Sequence, residues 1–141
     1  MLSELKIPCP NFLIREYDPS GVVMTATEKG IFTLSKSFND KDTNTSFHYV
    51  VTGEGKVVNF VDSESRAMNS YDDGYTITVL LCDIVNNNYS LKQVESLVEL
   101  LAQLCGENRI PLNKVQGDLP SFPFFEFLNG VGSVILENSL Q

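Results

Sequence analysis

The chain has 141 residues, 43% of them hydrophobic, and a formal net charge of −8 from 18 acidic and 10 basic side chains. That length and composition suit one domain with a real core, and the acidic balance with scattered lysines argues against a nucleic-acid partner, whose phosphates it would repel. No run reaches the roughly 18 apolar residues of a membrane span, and the opening MLSELKIPCPNF lacks the basic-then-apolar order of a secretory signal, so a cytoplasmic protein is expected.

Residues 1–21 read as an extended lead-in, because Pro8, Pro10 and Pro19 forbid regular helix. Gly21 to Met24 reads as a buried central strand, residues 31–38 as a short helix or turn, and 39–45 as a polar loop. Ser46 to Thr52 and Lys56 to Val61 form two strands around the turn Gly53-Glu54-Gly55. Asp62 to Asp73 is a polar excursion. Thr76 to Leu81, TITVLL, is β-branched and central, and Asn86 to Asn88 is a loop.

Ser90 with Gln93 has the form of a capping box and opens a helix from Leu91 to about Cys105. Val94, Leu97, Val98, Leu101 and Leu104 recur at helical spacing and predict one face against a sheet. Gly106 is the expected stop. Phe122 to Leu128 predicts a short helix starting near Pro123, and 130–141 a tail or last strand. Strands interleaved with helices give an α/β class: a central mixed sheet flanked by helices, in a single domain with its core at 22–129.

Several motifs have bland readings. Cys9, Cys82 and Cys105 are odd in number and widely spaced, so reduced core thiols are expected. Gly53-Glu54-Gly55-Lys56 lacks the spacing of a phosphate loop and is a turn. Asp62, Glu64, Asp72 and Asp73 lack the order of a calcium loop and read as a solvated face. His48, the one histidine, reads as a strand residue with its ring hydrogen-bonded in a half-buried sheet.

Five segments in order resemble the N-acetylmuramoyl-L-alanine amidase family, which includes AmpD-type amidases, peptidoglycan recognition proteins and T7-type phage lysozyme. They are Pro8 to Phe12 with Arg15; Val22 to Thr27; the hairpin SFHYVVTGEGKVVNFVDSESRA from Ser46 to Ala67; Thr76 to Leu80; and the capped helix followed by Ile110-Pro111-Leu112 and Val115 to Asp118. The hairpin is the most specific. The resemblance spans residues 6–129 and implies the amidase and peptidoglycan-recognition fold.

The same resemblance implies a zinc site, and the family's functional positions fall on other residue types here. The metal-ligand positions of the family fall on Thr25, Asp118 and Phe122. The histidine after the arginine–alanine–tryptophan run falls on Asn69, the strand glutamate on Leu80, and the phage tyrosine on Phe47. Threonine is a poor zinc ligand, phenylalanine is none, and leucine accepts no proton. No catalytic residue, metal or cofactor is therefore expected.

The resemblance then implies a pseudo-amidase, not an enzyme, that binds protein partners as a phage assembly component, with a virion-associated location as an alternative to the cytoplasm. Phe124, Phe125 and Phe127 are candidate interface residues, with at least two of the phenylalanines from Phe122 onward expected in the core. Other readings stay open: an inhibitor of an enzyme such as RNA polymerase, a peptidoglycan-binding module, or a weakly active zinc amidase.

Overall fold

A computed structural model describes residues 4–140. Within them a six-stranded sheet runs in the order β1 (Glu4–Lys6), β5 (Val57–Asn59), β4 (Tyr49–Val51), β7 (Thr76–Leu81), β3 (Gly21–Ala26) and β8 (Val115–Asp118). The β4–β5 pair is antiparallel and the other neighbours are parallel, so the sheet is mixed. A separate antiparallel ribbon joins β2 (Phe12–Ile14) to β6 (Ser65–Ala67).

Strand alternation sends side chains to two different cores. Val22, Met24, Ile77, Val79 and Leu81 face α2 (Leu91–Asn108) and α3 (Phe124–Ser139). Val50, Val58, Leu80 and Cys82 face Leu34 and Phe38 of α1 (Ile31–Phe38). Helices thus cover both faces, as buried, largely parallel strands require.

The central strands and α2 lie where the sequence places them, but α2 passes its expected stop. Gly106 lies inside the helix, which ends at Arg109 in the left-handed conformation with its N–H on the Cys105 carbonyl. Pro111 then prevents continuation. The capping box is half present. The Ser90 hydroxyl accepts from the Gln93 N–H at 3.1 Å, while the Gln93 side chain turns inward to the Val51 and Cys82 carbonyls at 2.9 and 2.8 Å. Leu97, Leu101 and Leu104 are buried, and Val94 and Val98 are half-buried.

The expected tail or strand at 130–141 is instead the body of α3, whose described part runs to Ser139. Val131 is buried on it, and the helix packs along α2, which outweighs the strand preference of the Val and Ile residues there. The lead-in is extended as expected, yet it supplies β1 and β2. Its Asn11 is buried, donating to the Phe38 and Asp40 carbonyls at 3.0 and 2.8 Å. Among the described residues, the three cysteines are free and buried, and no helix is long and apolar enough to cross a membrane.

Candidate functional site

The parallel registers fix a row across the sheet: Val50 beside Leu80, Leu80 beside Thr25, and Thr25 beside Asp118. This row lies toward the carboxyl ends of β4, β7, β3 and β8, the end of an open α/β sheet where ligand crevices form. A groove of about 270 Å³ opens there, walled by Thr25, Leu80, Phe47, Phe38 and Tyr71, with Lys29 at its lining.

Three polar groups meet in the row. The Thr25 hydroxyl lies 3.4 Å from the Tyr71 hydroxyl, as its donor, and 3.5 Å from the Asp118 carbonyl. The Tyr71 hydroxyl donates to Asp118 Oδ2 at 3.2 Å. Thr25 is nearly buried and Asp118 is exposed, so the chain of hydrogen bonds runs from the sheet outward. Phe47 and Leu80 are buried and give the groove an apolar wall.

Sequence reasoning passed over Tyr71. It sits on the excursion between β6 and β7, and Asn69 aims it. The Asn69 side-chain oxygen accepts from the Tyr71 and Asp72 N–H groups at 2.8 and 3.1 Å, while its amide donates to the Ser46 carbonyl and the Thr78 hydroxyl. Asn69 therefore borders the site as a turn-former. Phe122 points elsewhere, into an aromatic cluster with Tyr89, Phe124 and Phe127. Within the candidate interface, Phe127 is buried at 4% exposure and belongs to the core, Phe124 is half-buried, and Phe125 is 74% exposed.

Beneath the excursion lies a buried charged hub, which corrects the reading of Asp72 as part of a solvated face. The Arg15 guanidinium is 2% exposed and donates to the carbonyls of Ser63, Gly74, Ser65 and Thr76 at 2.8–3.0 Å. Asp72 is its counter-ion at 3.8 Å and accepts from the Ala67 and Gly74 N–H groups, both at 2.8 Å. Burial lowers the Arg15 pKa, and the nearby Asp72 carboxylate opposes that shift.

His48 is part of the same hub and is fully buried, more deeply than a half-buried sheet position. Its Nδ1 accepts from the Thr78 N–H at 2.9 Å, so that nitrogen carries no proton. Its Nε2–H donates to the Ser65 carbonyl at 2.7 Å. The ring is thus neutral, and burial pushes its pKa down to about 4 against the opposing pull of the Ser65 carbonyl and Asp72.

A mixed sheet covered by helices on both faces, with a groove at its carboxyl edge, defines an α/β scaffold of the kind that binds ligands at that edge. A sequence model described as N-acetylmuramoyl-L-alanine amidase matches residues 15–121, well over half of the chain, and the chain belongs to that family. Solved structures share its fold. AmpD, as a selenomethionine derivative, superposes with a TM-score of 0.78 at 18% identity, covering 93% of this chain and 98% of that one. A mutant endolysin from Bacillus subtilis gives 0.76 at 16%, covering 94% and 100%. The N-acetylmuramoyl-L-alanine amidase LysC from Clostridium intestinale gives 0.68 at 12%, covering 94% and 99%. No curated protein matches by sequence.

The expectation that the chain is not an enzyme is overturned by this family match, which is to an amidase. The zinc that the family implies is a separate matter. Protein zinc sites draw on imidazole, thiolate and carboxylate, three of them in a catalytic centre. Here the ligand positions offer one hydroxyl, already bonded to Tyr71, one carboxylate, and the hydrocarbon ring of Phe122. Among the described residues no three His, Cys, Asp or Glu side chains converge. These residues do not fit a zinc ion.

Proposed function

We propose that this chain recognises the N-acetylmuramoyl–L-alanine junction of peptidoglycan in the groove beside Thr25, Tyr71 and Asp118, and hydrolyses that amide slowly. The family match over residues 15–121 is the observation that carries the reading. The groove supports it: an apolar wall of Phe47 and Leu80 suits the methyl-bearing lactyl and alanyl groups, and the Tyr71–Asp118 pair suits the amide between them.

Incubation of the purified protein with cell-wall sacculi, followed by sedimentation and mass spectrometry of the supernatant, tests it. Retention on sacculi with slow release of stem peptides is expected. Neither retention nor release above a protein-free control would sink the reading.

A second reading, a protein partner within an assembly such as a phage particle, is favoured by the exposure of Phe125 on α3. Co-purification of the chain with particles at fixed stoichiometry is its expected mark, and absence from them together with no captured enzyme would reject it.

A further inference from the structure

The groove carries a hydrogen-bonded cluster at the place where the family resemblance puts metal ligands. Thr25 donates to Tyr71, and Tyr71 donates to Asp118. A carboxylate has about four acceptor sites, and Tyr71 occupies one of those on Asp118, leaving the exposed carboxylate free to accept from a ligand N–H. The Tyr71 hydroxyl is the one donor in the cluster that can be released toward a carbonyl, because Asp118 is exposed and can be hydrated in exchange. Asn69 holds the Tyr71 backbone through the bond at 2.8 Å, and the Arg15–Asp72 hub holds both ends of the excursion, so the phenol is placed before any ligand arrives.

From this arrangement we infer that the groove engages a muramyl peptide without a metal ion, with Tyr71 donating to the carbonyl of the muramyl–alanine amide and Asp118 accepting from the next peptide N–H, which points to the same side. The inference rests on the peptidoglycan reading above and specifies how that site works. For cleavage, Asp118 takes a proton from the attacking water as the new C–O bond forms, and Tyr71 stabilises the carbonyl oxygen as it becomes an oxyanion. The C–N bond then breaks, the proton held by Asp118 passes to the departing amine, and a carboxyl group and a free amine result. Water is the co-reactant, and no oxidant or reductant is involved. A lone aspartate and a phenol are weaker than a zinc-bound water at this task, so slow turnover is the expectation.

The test is calorimetric titration of muramyl dipeptide into the full chain, once with a chelator present and once with added zinc, beside elemental analysis of the dialysed protein. The expected result is equal affinity in both buffers, within about twofold, with zinc far below one ion per chain. Tyr71→Phe and Asp118→Asn should each weaken binding by about tenfold or more, since hydrogen bonds to or beside a charge are the stronger kind. Circular dichroism of the two variants should match the parent. Binding that needs zinc, or one tightly held zinc per chain, overturns the metal-free inference and leaves the peptidoglycan reading standing. Binding in neither buffer overturns both. Unchanged affinity in both variants overturns the assignment of Tyr71 and Asp118.

Discussion

The side-chain oxygen of Asn69 accepts the backbone N–H of Tyr71 at 2.8 Å, and that bond holds the turn from which the phenol reaches Thr25 and Asp118. The same oxygen also receives the Asp72 N–H, and the Asn69 amide reaches back to Ser46 and Thr78 in the sheet. One half-buried side chain thus ties the site loop to the strands beneath it. Asn69→Ala removes all of these bonds. It is expected to lower stability by about 1–3 kcal/mol, the cost of leaving buried partners unpaired, and to weaken muramyl-peptide binding more than Ser70→Ala does. Urea unfolding and calorimetry of both variants check this.

The buried hub should be less forgiving. Asp72→Ala leaves the Arg15 guanidinium without its carboxylate and leaves the Ala67 and Gly74 N–H groups without their acceptor. Removing one partner of a buried pair costs about 3–5 kcal/mol, and urea unfolding at neutral pH should show that loss.

Acid should weaken the fold through His48. An unfolded histidine titrates near 6.5, whereas the folded ring is pushed down to about 4 by burial, with Asp72, Asp62 and the Ser65 carbonyl opposing and Arg15 adding to the shift. Between those values the unfolded chain binds the extra proton, so stability rises with pH across that window. The contribution of the neutral ring is complete above about pH 6.5 and is lost as pH falls toward 4, a span of roughly 3 kcal/mol. Denaturant midpoints measured between about pH 7 and 4 check the slope. His48→Gln, which cannot titrate there, should flatten it.

Gln93 is an internal clamp between α2 and the sheet. Gln93→Ala removes its bonds to the Val51 and Cys82 carbonyls, both in the fully buried interior, and should cost about 1–3 kcal/mol in urea unfolding. A loss no larger than that of an exposed helix residue such as Glu95→Ala would show that solvent replaces the amide.

Two substitutions on α2 should move in opposite directions. Leu97 is fully buried, and Leu97→Ala should cost about 2–5 kcal/mol through the cavity it leaves. Gly106 is helical and exposed, and a Cβ there meets nothing within 4 Å, so Gly106→Ala should add roughly 0.5–1 kcal/mol. Thermal unfolding of the pair measures both signs.

The sequence by itself determined the elements whose residues speak locally. Apolar, β-branched runs such as Thr76 to Leu81 marked the central strands, and the three- and four-residue spacing of Leu97, Leu101 and Leu104 marked α2 and its buried face. It also determined the donor types at the site, because threonine at position 25 and phenylalanine at 122 have the chemistry they have in any fold. Tertiary structure decided the rest. Gly130 and Gly132 lie inside α3, where packing on α2 overrides weak local preference. Asp72 looks like one more surface acid until Arg15, distant in the chain, is folded beneath it. Tyr71 and Asp118 are 47 positions apart and meet only because β8 pairs with β3 and the excursion folds back over that edge. Local periodicity carries no information about such meetings. They are set by which strands pair and in what register, and that is a property of the whole packed chain.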